Sequence, residues 1–138
     1  MFVYLVAHQK CDIPLGWVEE TASLLEPHGW NVSEQGRKVY AMPNHLSKGA
    51  SLARLRDVIA EASTGTPRLY ASGDSLLDAS MLTVADSAIR PAHGELHEQQ
   101  WEHHRVAVTR SEGPLAGEEI IDWMLGQVQR QDALAELV

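Results

Sequence analysis

Two carboxylates four residues apart, Asp74 and Asp78, are the feature of this chain that most clearly predicts chemistry. They lie in the run Ala-Ser-Gly-Asp-Ser-Leu-Leu-Asp over 71–78, which predicts a strand, a tight glycine turn and a helix. Both carboxylates would then follow the carboxyl end of a strand, where open parallel sheets bind ligands. Hard oxygen donors suit Mg²⁺, which uses one or two carboxylates, several waters and phosphate oxygens. The plainer alternative makes Asp74 a turn residue and Ser75 a helix cap.

The rest of the chain predicts an α/β protein that would position this turn. Residues 1–42 predict a strand (Phe2–Ala7), a helix and a two-stranded hairpin, which together form a small α+β fragment. From Pro43 onward, helices over 47–62, 76–84 and 114–137 alternate with strands over 68–72, 86–90 and 106–109. This order is typical of a parallel sheet between helices. We therefore predict a partial doubly wound parallel sheet over 43–138.

Apolar residues recur at near-helical spacing in all three longer predicted helices. In the first helix they are Leu15, Val18, Ala22, Leu24 and Leu25, and in the second Leu52, Leu55, Val58 and Ile59 lie on one face. In the last helix we predict that Ile120, Ile121, Met124 and Leu125 face inward.

Charge and cysteine content restrict the partners and the compartment. Eleven basic and 19 acidic residues give a formal charge of −8, which disfavours nucleic acid and anionic membrane surfaces as partners. The single cysteine allows no intrachain disulfide, which is typical of a reducing compartment. The apolar start Met1–Ala7 lacks the basic segment of a signal peptide, and no apolar run is long enough to span a membrane. We expect a cytoplasmic protein whose anionic substrate would meet local cations or a metal.

Two segments, in this order, resemble motifs of the haloacid dehalogenase superfamily. The Lys-Gly helix start in Asn44–Leu52 resembles motif III, and Gly73–Asp78, with Met-Leu and Ala-Asp pairs after it, resembles motif IV. The resemblance extends over about residues 44–94. Residues 1–42 more loosely resemble the end of the large cap in sucrose-phosphate-phosphatase-like and Cof-like members. The resemblance implies a cap-like fragment over 1–42 and the second half of the superfamily's core over 43–138.

The resemblance also implies roles for individual residues. Asp74 would coordinate Mg²⁺, and Asp78 would bind the metal or its waters, or hold Lys48. Lys48 would neutralise the nucleophile and the phosphoryl group, and Ser75 would help through its hydroxyl or its backbone amide. The implied substrate is a phosphorylated small molecule, with a sugar phosphate expected by analogy.

Two residues at and just beyond the end of the next predicted strand are further candidates for the phosphate pocket. Arg90 carries a guanidinium, which suits phosphate, although a surface arginine is the alternative. His93 would lie near the entrance of the site and line the pocket. His93 and His97 could also share a helix face as a transition-metal pair, but the intervening Gly94 and the lack of a nearby cysteine favour a solvated acidic segment.

The chain departs from the superfamily at the group that attacks phosphorus. It contains no Asp-x-Asp-x-Thr, the nearest candidate at 10–14 has a single aspartate, and motif II is not identifiable. In the superfamily the nucleophile strand adjoins the motif IV strand, so the strand over 68–72 would have an unpaired edge, which invites pairing. We expect self-association, the chain's own Phe2–Ala7 strand, or a strand from a separate partner chain to fill that place.

The functional expectation is therefore half of a phosphatase. The chain would be the second half of a Mg²⁺-dependent phosphomonoester hydrolase, a split or truncated enzyme that is inactive until the nucleophile-bearing half is supplied. On its own it would bind Mg²⁺ weakly, because the nucleophile normally supplies a ligand. The alternative is a non-catalytic binding or regulatory module that keeps the fold without the chemistry.

Overall fold

The chain forms two compact units, one ending at Leu46 and one beginning at Ser47. The computed structural model describes residues 3–6, 13–35 and 38–135. Within these ranges no helix is both long enough and apolar enough to cross a membrane.

The first unit contains a three-stranded antiparallel sheet and one helix. Its elements are β1 (Val3–Val6), α1 (Trp17–Leu25), β2 (Trp30–Gln35) and β3 (Lys38–Pro43). A 3-10 turn over Glu26–His28 follows α1 and ends at Gly29, whose φ of 76° is in the left-handed region that glycine adopts without strain. The sheet order is β1-β3-β2. Phe2 and Ala7, the ends of the predicted first strand, and the hairpin turn at 36–37 lie outside the described residues.

The second unit contains a parallel three-stranded sheet with helices packed against it. Its elements are α2 (Lys48–Ala62), β4 (Tyr70–Ser72), α3 (Ala79–Val84), β5 (Ser87–Arg90), α4 (Glu95–Glu98), β6 (Val106–Val108) and α5 (Gly113–Ala135). The strand order is β4-β5-β6, and both pairings are parallel. The α/β class predicted from the alternation of helices and strands is therefore confirmed.

The core of the second unit lies beside β4 and β5. Leu82 of α3 and Leu96 of α4 are fully buried, and they pack in one cluster with Leu69, Ala71 and Ala88. Burying a leucine side chain contributes about 2 kcal/mol. These two leucines therefore hold the short helices α3 and α4 against the sheet, and with them the segments that carry the candidate site.

Two side chains of α5 that are predicted to face inward are exposed, so the prediction was wrong for them: Ile121 is 60% and Leu125 is 55% exposed. Other apolar residues at helical spacing are also exposed, namely Leu15 and Leu24 in the first unit and Leu55, Val58 and Ile59 on α2. Helical spacing identifies an apolar face, but it does not show whether the chain supplies a surface to cover that face.

The edge of β4 away from β5 has no strand partner among the described residues. The first strand lies in the other sheet, where Val3 of β1 is opposite Ala41 of β3. The expectation that the chain's own Phe2–Ala7 strand fills this edge is therefore wrong in this conformation. The physical reason is that β3 already gives β1 a four-residue antiparallel pairing.

Candidate functional site

Asp78 organises the turn that follows β4. Its Oδ2 accepts hydrogen bonds from the backbone N–H of Asp74 at 3.2 Å, the backbone N–H of Ser75 at 3.1 Å and the Ser75 hydroxyl at 2.9 Å. Ser75 and Asp78 form a reciprocal capping box around the 3-10 turn Leu76–Asp78. Because the Asp78 side chain is only 8% exposed, these donors replace the water that its carboxylate has lost.

Lys48, the first residue of α2, reaches the other oxygen of the same carboxylate. Its Nζ donates to Asp78 Oδ1, although the two residues are 30 positions apart. Ser47 fixes the start of α2 by accepting a hydrogen bond from the backbone N–H of Ala50 at 3.0 Å. The Lys48 side chain is 55% exposed. The structure thus brings the lysine of the first motif into contact with the second aspartate of the other motif.

Two glycines allow these close approaches. A Cβ on Gly73 would lie 2.5 Å from both Cβ and Cγ of Asp78, and a Cβ on Gly49 would lie 2.3 Å from the carbonyl oxygen of Ser80. The backbone N–H of Gly49 also donates to Ser80 Oγ at 3.2 Å. A side chain at either glycine would displace Asp78 from the turn or α2 from α3. The Lys-Gly and Gly-Asp pairs are therefore steric requirements of this arrangement.

The hydrogen bonds around Asp78 favour its ionised form. Burial opposes the charge, but the hydrogen bonds from Lys48 and Ser75, together with the charge of Lys48, lower the pKa of Asp78 below its ordinary value of 3.8. Both carboxylate oxygens already have partners. Of the two roles predicted for Asp78, this geometry favours holding Lys48 over ligating a metal.

Asp74 is the aspartate that is free to act. It is exposed, and no described residue donates a hydrogen bond to its carboxylate. Its backbone is fixed, because its N–H donates to Asp78 and its carbonyl accepts from the N–H of Leu96 at 2.9 Å. With Ser72 and His93, it lines an open pocket of about 270 Å³ beside the first turns of α5. A rigid backbone and an unpaired carboxylate are suited to ligand binding.

His93 and His97 have separate partners. His93 lines the Asp74 pocket, and its Nδ1 accepts a hydrogen bond from the backbone N–H of Gly113 at 3.2 Å. The Nδ1 of His97 is instead 3.3 Å from Arg90 Nη1. Because these nitrogens serve different contacts, the geometry does not favour a metal pair made by the two histidines.

The donors of this site fit Mg²⁺ in part. The Asp74 carboxylate is a hard, water-accessible ligand of the kind that Mg²⁺ prefers, whereas Asp78 is engaged. Across residues 13–35 and 38–135, no three His, Cys, Asp or Glu residues are grouped so that they could hold a metal. Asp74 would therefore hold Mg²⁺ together with waters and a substrate phosphate.

Arg90 occupies a different environment from the one predicted. It is only 5% exposed, so the alternative of a surface arginine is wrong. The reason is that Arg90 ends the central strand β5, between two neighbouring strands. Arg90 also lines a cleft that does not include Asp74. The structure brings Lys48, Asp78, Ser75 and Asp74 together, but it leaves Arg90 in a separate place.

The sequence did not point to two residues that help to build the site. Glu95, at the start of α4, accepts a hydrogen bond from the backbone N–H of Leu76 at 2.8 Å. Ser80 Oγ accepts the hydrogen bond from the backbone N–H of Gly49. For Glu95 a sequence signal exists, because Gly94 followed by an acidic residue is typical of the start of a helix. Ser80 gave no local signal, because its partner is 31 positions away.

Solved structures support the fold. A haloacid dehalogenase-like hydrolase from B. subtilis is similar over 91% of this chain, with a TM-score of 0.61 and 19% sequence identity. The Thermoplasma acidophilum protein 0175 is similar over 87%, with a TM-score of 0.57 and 19% identity. This chain spans 39% and 47% of the lengths of those two proteins. No family model matches the chain, and no curated protein matches it significantly in sequence. At this identity the likeness establishes a haloacid dehalogenase-like fold.

Proposed function

We propose that this chain is the lysine- and magnesium-bearing half of a haloacid dehalogenase-like phosphomonoester hydrolase. The attacking carboxylate would lie on a segment outside these 138 residues. The observation that carries this proposal is the contact of Lys48 with Asp78 inside the turn that presents Asp74. A cation and an unpaired carboxylate held by one rigid turn suit the binding of a phosphoryl group and its metal.

Each residue of the turn would have a separate task in this chemistry. Lys48 would balance the charge that develops on the phosphoryl oxygens, and Asp78 would keep its ammonium group in position. Asp74 would ligate Mg²⁺, which would supply charge screening between the substrate phosphate and the attacking carboxylate. Ser75 would act indirectly, since its hydroxyl and its amide both donate to Asp78.

The free edge of β4 is the proposed docking place for the missing carboxylate. An added parallel strand beside Tyr70–Ser72 would satisfy unpaired peptide groups and would end beside Gly73 and Asp74. We propose a strand-complementing polypeptide as the occupant, because more than half of each matched structure has no counterpart in this chain.

The substrate that follows from this proposal is a phosphorylated small molecule. A sugar phosphate is the choice by analogy with the sucrose-phosphate-phosphatase-like and Cof-like subgroup, and a cytoplasmic location accords with the single cysteine. The formal charge of −8 argues against nucleic acid and anionic membranes as partners.

A second candidate function is a non-catalytic binding module with the same fold. The engagement of both oxygens of Asp78 favours this candidate, because only Asp74 is left as a free carboxylate in the turn. Such a module would bind Mg²⁺ and phosphate weakly and would not turn substrate over.

The test is Mg²⁺-dependent hydrolysis of an aryl phosphate. We expect no turnover by the 138-residue chain alone, and turnover when it is co-expressed with a nucleophile-bearing polypeptide encoded directly upstream. That turnover should be lost in Asp74→Asn and Lys48→Met and kept in Glu61→Gln, an exposed control on α2.

Three outcomes separate the alternatives. Asp74-dependent turnover by the chain alone would overturn the proposal of a missing nucleophile. A stable complex without turnover would favour the non-catalytic module. Light scattering that shows a homo-oligomer, with the amides of Tyr70–Ser72 protected from hydrogen exchange, would identify a second copy as the occupant of the β4 edge.

A further inference from the structure

Arg90 is a buried cation without a counter-ion among the residues that the structure describes. It is 5% exposed, yet the one ion pair found in those ranges joins Lys48 to Asp78. Both recorded hydrogen bonds of the Arg90 side chain leave from Nη1, to the Pro91 carbonyl at 3.1 Å and to His97 Nδ1 at 3.3 Å. A guanidinium only donates, so His97 must accept at Nδ1. Burying an unpaired charge costs free energy. Binding of an anion to the Arg90 guanidinium would offset that cost.

The unused donors of Arg90 are not sealed inside the protein. Nε and Nη2 have no hydrogen-bond partner in the described ranges. In those ranges Ser33 Oγ is the only fully buried side-chain nitrogen or oxygen that lacks a hydrogen-bond partner. Nε and Nη2 also lack a partner, so they are not fully buried. Both nitrogens therefore keep some contact with solvent. Arg90 lines a cleft of about 460 Å³, and we assign this contact to that cleft. The Nε–Nη2 edge of a guanidinium matches the two oxygens of a carboxylate or a phosphate.

The walls of this cleft supply further donors. His103 and His104 line it with ring centroids 4.4 Å apart, and the His103 ring stacks on Trp101 at 6.2 Å and 15°. This stacking fixes one imidazole beside the cleft, where its N–H can donate to an anion. The cleft volume is in the range of small-molecule sites.

Glu102 and two valines restrict the class of ligand that the cleft can bind. Val106 and Val108 form an apolar wall, and the exposed Glu102 adds a negative charge at the same cleft. A carboxylate in this place repels a bare anion but accepts a hydrogen bond from a hydroxyl. The cleft therefore suits a small organic molecule that carries an oxyanion together with a hydroxyl group.

We propose that the cleft floored by Arg90 is a second ligand site, separate from the Asp74 turn, which binds the phosphate or carboxylate group of a small hydroxylated metabolite. This proposal does not rest on the phosphatase assignment, because the cleft shares no lining residue with the Asp74 pocket.

The experiment is a titration of the full chain with inorganic phosphate and, separately, with glycolate as a hydroxylated carboxylate. The His103 and His104 imidazole signals and the Arg90 Nε–H signal are followed by NMR. We expect saturable shifts of all three signals. The Arg90→Gln substitution should weaken binding by about tenfold or more, whereas Arg54→Gln, an exposed arginine on α2, should leave it unchanged.

Two further variants keep the test decisive if Arg90→Gln is unstable. Glu102→Gln should tighten phosphate binding by about two- to fivefold, because it removes a like charge, and a folding defect would not have that effect. Lys48→Gln removes the cation of the other site and should leave the imidazole shifts intact. The proposal would be overturned if the imidazole and Arg90 Nε–H signals respond to neither anion, or if the imidazole signals of Arg90→Gln respond as they do in the native chain. Tighter binding of phosphate than of glycolate in these titrations would assign the oxyanion as phosphate, and the reverse would assign it as carboxylate.

Discussion

Lys48 and Arg90 are two cations of the same unit that the chain treats in opposite ways. Lys48 is 55% exposed and has a carboxylate from its own chain. Arg90 is 5% exposed and, in the described part of the chain, has only neutral partners. In most proteins a buried cation is paired with a carboxylate. The difference teaches that Asp78 serves to position an exposed ammonium group, while the buried guanidinium is left available for a ligand.

We expect the largest change in stability when the carboxylate that contacts Lys48 is removed. Asp78→Ala orphans three donors of the turn and the Lys48 ammonium, so we expect a loss of about 3 kcal/mol in the free energy of unfolding. Urea denaturation measures this loss. Lys48→Ala should cost clearly less, because the Asp78 carboxylate keeps the three hydrogen bonds to its Oδ2. Equal losses in the two variants would contradict the central role given to Asp78.

The next effect tests the close approach at the turn. Gly73→Ala places a methyl group 2.5 Å from Asp78 Cβ, and we expect a loss of about 1–3 kcal/mol by urea denaturation. The matched control is Gly65→Ala, where an added Cβ meets no atom within 4 Å. If both variants unfold at the same urea concentration, the steric requirement is wrong.

The charge of Asp78 predicts an acid-sensitive contribution. Because the pKa of Asp78 is lowered in the folded state, the stabilisation is fully present above the ordinary value of 3.8 and is lost as the pH falls through the lower folded-state pKa. The difference in unfolding free energy between the native chain and Asp78→Asn should therefore shrink in acid. Urea titrations at neutral pH and below pH 3.8 check this, and a pH-independent difference would exclude the linkage.

The smallest effect sharpens the contrast at Arg90. Arg90→Met replaces a buried charge that has no carboxylate with an apolar side chain of similar length. We expect a change between zero and a gain of about 1 kcal/mol in unfolding free energy. Thermal and urea unfolding measure it. A large loss would show that the guanidinium stabilises the fold, as Asp78 does, rather than serving a ligand.

Most of the local structure was predictable because its signals are local. The Ser47 cap gives a helix that begins at Lys48, and the predicted strand over 86–90 corresponds to β5 at Ser87–Arg90. The turn after β4 follows from glycine and from the capping pair Ser75 and Asp78. These features depend on residues a few positions apart, whose chemistry a sequence displays directly.

The exposure of side chains was not predictable in the same way. Ile121 is predicted to face inward but is 60% exposed. Arg90, for which a surface position was the alternative, is only 5% exposed. Exposure depends on which surfaces meet across the whole molecule, and no local pattern contains that information.

By itself, the sequence determined the order of helices and strands, the glycine turn and the presence of two aspartates and a lysine that could act together. Only the tertiary structure decided that Asp78 holds Lys48 while Asp74 stays free, and that Arg90 faces a different cleft. The physical reason is distance along the chain. Capping and turns act within a few residues, whereas the Lys48–Asp78 contact joins residues 30 positions apart, and packing of the helices beside the sheet brings them together.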